Sequence, residues 1–117
     1  MKLKGTILLA ALAMTLTACA NVDVTKTSAG FRDPTNPNKI EILKTVPLDR
    51  PYEELATVTV TGFQPDETAK MHNAVRAKSA AVGADAVVLT QEGIVQSGFS
   101  MERWATGVAI GWKTTAR

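Results

Sequence analysis

Apolar and polar positions divide this chain into stretches with a clear period and stretches with none. Residues 6–16, TILLAALAMTL, are apolar or small throughout, without the polar stripe of an amphipathic helix. Residues 20–39 are polar, show neither the strand nor the helix period, and include Gly30, Pro34 and Pro37; they read as a flexible tether. A competing arrangement within them is an edge strand at Val22-Asp23-Val24. Residues 40–46, IEILKTV, form a strand candidate closed by Pro47. Residues 55–63, LATVTVTGF, alternate strictly, with Thr57, Thr59 and Thr61 on one side and Val58 and Val60 on the other. Turn chemistry at Pro47-Leu48-Asp49-Arg50-Pro51 lies between the two candidates and predicts an antiparallel hairpin with a loop of several residues.

Gln64-Pro65-Asp66-Glu67 reads as a helix start, with Asp66 or Thr68 as N-cap. The helix runs to Val82, and Gly83 takes the left-handed position beyond its end. On a helical wheel Met71, Ala74, Val75, Ala81 and Val82 share an arc that also takes in Lys78, whose stem could lie along that face. Residues 84–90, ADAVVLT, make a near-continuous apolar strand, and strand, helix and strand with tight links suggest a βαβ crossover. Residues 91–103 are a polar loop with room for a short strand or hairpin. In residues 104–113, WATGVAIGWK, Trp104, Thr106, Val108, Ile110 and Trp112 point one way. Ala105, Gly107, Ala109 and Gly111 point the other, and so small a face lets the alanine-rich helix approach closely. The predicted fold is α+β: a small mixed sheet of about four strands with one packed helix, in the order strand-strand-helix-strand-strand, over residues 40–117.

The leader carries Lys2 and Lys4 ahead of the apolar run and no acid. That run is about a dozen residues, whereas a membrane-spanning helix needs roughly 20. A basic start, a short apolar middle and small residues at its end make a secretory signal, here residues 1–18. Leu16-Thr17-Ala18-Cys19 resembles the bacterial lipobox. That resemblance implies a diacylglyceryl group on the Cys19 thiol, cleavage before Cys19 and acylation of its amine, so that residues 19–39 form a lipidated cysteine with its tether. The competing site is Ala18-Cys19-Ala20, where an ordinary signal peptidase would cut after Ala20 and discard the thiol. Cys19 directly follows the apolar segment, where a lipobox belongs, and an unpaired thiol would be a liability in an oxidising compartment. Two or more acyl chains hold a protein stably at a membrane, where one does not. Ala20 and Asn21 place no acid after the cysteine; by resemblance to enteric sorting rules this points to the outer membrane of a Gram-negative cell, facing the periplasm.

Charge changes once the leader is set aside. The whole chain has 13 Lys and Arg against 11 Asp and Glu, a formal +2, but Lys2 and Lys4 belong to the leader, leaving 11 of each. A neutral mature chain gives no argument for nucleic acid as a partner. Cys19 is the only cysteine, so no disulfide staples the domain.

Residues 80–89, AAVGADAVVL, resemble a signature of small bacterial α/β domains of the YbjQ-like group and of the outer-membrane lipoprotein sensor of the Rcs envelope-stress relay. The likeness extends over residues 55–112 and consists of packing residues, so it implies a fold more than a function. The sensor's domain is disulfide-clamped, which this chain cannot be. The YbjQ-like group is associated with metal binding, yet the candidate ligands here reduce to His72 and scattered carboxylates, with no Cys or His pair at ligand spacing.

Catalytic patterns are missing as well. His72 falls on the polar side of the helix as a surface histidine, and Glu53-Glu54 are neighbours that point apart at a strand entrance. Residues 107–111, GVAIG, lie in a predicted strand, the wrong context for phosphate binding. Lys70, Arg76 and Lys78 form a modest basic patch that ordinary solvation explains. No cofactor or metal is expected, and the sequence does not read as an enzyme. Trp104, Trp112, Tyr52 and Phe99 either fill a core or form a binding face, since aromatics dominate interface energetics. The expected function is that of a lipid-anchored envelope module acting by protein contact, structural or stress-sensing. The alternative is a binding module for a small ligand, metal or envelope glycan.

Overall fold

The computed structural model describes residues 21–27 and 32–113. Residues 1–18, expected to be a signal sequence, and Cys19 lie outside the described residues. Among the described residues five strands, a 3-10 turn at Pro37–Lys39 and one α-helix follow one another: β1 (Asn21–Lys26), the 3-10 turn, β2 (Glu41–Leu43), β3 (Tyr52–Phe63), the helix α1 (Thr68–Ala81), β4 (Ala86–Ser97) and β5 (Ser100–Trp112). The strands form one sheet in the order β1-β3-β5-β4-β2, antiparallel except for the β2–β4 pair. The mixed sheet with one helix matches the sequence, but the described strands number five, not four.

Three expectations need correction. The first is the tether. Asn21–Lys26 is an edge strand paired along its length with β3, from Asn21 opposite Thr61 to Lys26 opposite Ala56. Its apolar signal is weak because an edge strand contributes little to the core: Val22 packs against it while Asp23, Val24 and Thr25 are exposed. Arg32 and Thr35 are also half-buried, against the end of α1. Thr35 donates its N–H to the Ala80 carbonyl at 2.9 Å and its hydroxyl to the Ala84 carbonyl.

The second correction concerns β2. It does not form a hairpin with β3; it lies at the opposite edge of the sheet, parallel to β4, with Ile42 opposite Val87. The long connection between β2 and β3 sets no register, so burial of Ile42 and Leu43 decided the partner. The third concerns residues 91–103, expected to be a polar loop. They continue β4 and β5 as a long hairpin that closes at Ser97 opposite Ser100, with Gly98 in the left-handed region at φ 63°. The crossover from β3 through α1 to β4 accordingly skips a strand, because β5 lies between them.

Helix α1 forms because its sequence, TAKMHNAVRAKSAA, is rich in the residue with the best helix propensity. The N-cap is Glu67, not Asp66 or Thr68, and it makes no side-chain capping bond. Its carboxylate instead accepts from the Gln64 N–H at 2.8 Å, which holds it below the usual carboxylate range. At the other end Gly83 donates its N–H to Ala80 and Ala84 donates to Ser79, the paired bonds of a Schellman motif. Gly83 is at φ 84°, as the sequence predicts. A Cβ there would also meet Arg32 Cβ at 2.4 Å, so the glycine serves both the turn and the segment packed upon it.

Met71, Val75, Ser79 and Ala80 are the helix positions buried on the sheet. The arc is rotated from the expected one, and both Ala81 and Lys78 are exposed. Beneath it lie Ala56, Val58, Val60, Val87, Leu89, Ala105 and Ala109. The small-residue side of β5 therefore faces the helix, as its size pattern predicts. On the opposite side a smaller cluster of Ala86, Val88 and Ile110 is covered by Leu43, Tyr52, Val108 and Trp112.

Candidate functional site

The side of the sheet without a helix gathers the aromatic residues singled out in the sequence. Strand register sets Tyr52 of β3 directly opposite Trp112 of β5, and both are half-buried as the lid of the smaller cluster. Trp104, on the same side of β5, is half-buried with its ring over Gly93; a Cβ at Gly93 would lie 3.4 Å from the indole nitrogen. Phe99 stands apart at the hairpin turn and is fully exposed. The aromatics are thus neither a closed core nor one continuous strip. Between Trp104 and the apolar cluster under Trp112 lies a polar strip, where the hydroxyls of Thr59 and Thr106 share a hydrogen bond of 2.8 Å.

Trp112 is also one wall of a cleft of about 700 Å³, lined by Arg32, Asp49, Arg50, Pro51, Asp85 and Lys113. The Arg50 guanidinium lies 4.1 Å from the centre of the Trp112 ring, within cation–π range. Asp85 accepts from the Trp112 N–H at 2.9 Å and pairs with Arg32 at 3.5 Å. Arg32 itself lies across Gly111, where a Cβ would fall 1.2 Å from Nη1, so only glycine admits it. That Nη1 is buried and has no hydrogen-bond partner among the described residues. The Gly83-Ala84-Asp85 run, read in the sequence as a packing signature, therefore seats Thr35, accepts from β5 and holds a cation over Gly111. Nothing in the local pattern around Arg32 announces this, because its partners lie some fifty to eighty positions away and are joined only by the fold.

The other sequence candidates resolve into structural roles. His72 is half-buried, not a free surface histidine: its Nε2 lies 3.3 Å from Glu92, which also accepts from Lys44 Nζ at 2.9 Å. The Lys44 hydrogen bond, opposed by burial and assisted by His72, holds the Glu92 carboxyl below its usual value. The basic patch is largely spent, since Lys70 pairs with Glu67 and Arg76 bonds the Ile40 carbonyl and Asn73. Glu53 and Glu54 are exposed on β3, and residues 107–111 are strand, as expected. Among the described residues no three His, Cys, Asp or Glu side chains come together to hold a metal ion.

The fold is similar to one in the crystal structure of a Francisella virulence factor, FvfA, with a TM-score of 0.58 and 9% identity over 77% of this chain and 97% of that one. At such identity the likeness shows the fold alone. No family model matches the chain, and no curated protein matches it.

Proposed function

We propose that this chain is a bacterial envelope lipoprotein, anchored through acylated Cys19 in the outer membrane, whose domain acts by contact with another protein. The observation that carries the anchoring is Leu16-Thr17-Ala18-Cys19 placed directly after a short apolar run. Protein contact is supported by the uncovered sheet face, where Tyr52, Trp104 and Trp112 present aromatic surface of the kind that anchors interfaces. Two arms test it. A Cys19→Ala variant should leave the membrane fraction for the soluble one, and unchanged fractionation would contradict the anchor. In-cell crosslinking followed by purification should recover a protein partner whose yield falls at least several-fold for Trp112→Ala; no partner at all would sink the contact role.

A second reading is favoured by one observation, the buried, unpartnered Nη1 of Arg32 beside Arg50 and Lys113. A small anionic ligand in the cleft would pair with the cations Arg32, Arg50 and Lys113 on its wall. Such a ligand should co-purify with the protein and be lost from Arg32→Ala.

A further inference from the structure

The β4–β5 hairpin outgrows the sheet that supports it. β3 ends at Phe63 opposite Arg103, and β2 pairs only with residues 86–88. Beyond that level residues 95–102 are a two-stranded ribbon, with Ile94 at its base, an arrangement of marginal stability when nothing covers it. Its large side chains are exposed: Ile94 is 44% accessible, Val95 50%, Met101 49% and Phe99 109%. From Gly93 to Met101 the sequence GIVQSGFSM carries no charge; Glu92 and Arg103 lie behind it, and Glu102, opposite Val95, is the charged residue nearest the tip.

Strand direction relates this tip to the anchor. β1 enters the sheet with Asn21 opposite Thr61, at the same end as the hairpin turn, and Cys19 stands two positions before Asn21 in the chain. Two extended residues reach at most about 7 Å. From the level of Asn21, beside Trp104, the ribbon runs about five residues further to its turn, roughly 16 Å at the usual strand rise. The tip therefore outreaches Cys19 by some 9 Å if the strands stand along the membrane normal, comparable with the roughly 5–10 Å depth of interfacial elements.

We propose that the hairpin tip is a second membrane contact, lodged in the headgroup region of the leaflet that holds the acyl chains of Cys19. The inference rests on the anchoring reading above and adds an orientation to it. The hairpin end of the sheet faces lipid, and the loop before β3 faces away. The unpaired outer edges of the ribbon keep it at headgroup depth, because hydrocarbon would leave those backbone groups without partners. The absence of charge makes apolar contact, not attraction to anionic lipid, the recognising chemistry.

The test uses the full-length lipidated protein in vesicles of phosphatidylethanolamine and phosphatidylglycerol. With the Cys19 thiol consumed by lipid, Phe99→Cys provides one site for an environment-sensitive fluorophore. Leu48→Cys, at a residue 96% accessible at the far end of the sheet, provides the control. Both side chains are exposed, so neither change should disturb folding. The expected result is a blue shift, a several-fold rise in emission and quenching by shallow lipid-borne nitroxides at position 99, with none of these at position 48. A probe at position 99 that remains aqueous while the protein pellets with the vesicles would overturn the lipid contact, leave the anchor standing and free the tip for a protein partner. A parent protein whose own thiol takes the label would overturn the anchor itself, and the contact with it.

Discussion

The two faces of this sheet come from the same strands and are closed by different means. On the helix side β5 offers Ala105, Gly107 and Ala109, and the bulk comes from outside, through Met71 and Val75 of α1. On the other side no helix arrives, and β5 supplies the bulk itself in Val108, Ile110 and Trp112. A face made of small residues admits another backbone; a face made of large ones must serve as its own cover and stays partly wet. The first is committed to stability, while the second keeps Tyr52, Trp104 and Trp112 half-exposed.

The comparison breaks most sharply at Met71. It is fully buried, and Met71→Ala should lower stability by about 2–5 kcal/mol, read as a shift of the urea midpoint with unchanged slope. Overpacking separates the faces next. Ala109→Leu, under the helix, should cost about 1–3 kcal/mol, whereas Val108→Leu, one residue away on the open face, should stay within about 0.5 kcal/mol. Equal losses at the two positions would show that the faces do not differ as described. At the end of α1, Gly83→Ala should cost about 1–2 kcal/mol in the same assay, from positive φ and from the collision with Arg32 and the Asp33 carbonyl.

The smallest effect lies at the rim, at Glu92. Its folded-state pKa is lowered, chiefly by the Lys44 hydrogen bond, so the stability it contributes is full above the unfolded value near 4.5 and is lost as pH falls through the lower folded value. Glu92→Gln should cost less than about 1 kcal/mol at pH 7, because the pair is partly solvated, and should narrow the gap between melting temperatures at pH 7 and pH 3.

These outcomes depend on features of unequal legibility. The alternation of β3, the helix with its Gly83 cap and the size pattern of β5 could be read directly, since each is a local period tied to burial. The edge strand β1 was legible only as the competing reading at Val22-Asp23-Val24, because most of its side chains meet water and its pairing is through backbone. The hairpin of residues 91–103 was legible only as room for a short strand or hairpin in a polar loop, since a ribbon wet on both faces has no hydrophobic period to detect. The partner of β2 and the seat of Arg32 on Gly111 are long-range choices, settled by what the assembled sheet leaves open. His72 misled because a helical wheel places it on the polar side without showing that Glu92 of β4 lies beneath it.

The correction of the tether has the widest consequence. With Asn21 already in the sheet, a lipid on Cys19 would hold the domain within a few ångströms of the headgroups, not at the end of a chain some 25 Å long. Mass spectrometry of the mature N-terminus tests that account most directly. The prediction is a first residue of Cys19 carrying the mass of a diacylglyceryl group and an amide-linked acyl chain. An unmodified chain beginning at Asn21, cut after Ala20, would contradict it.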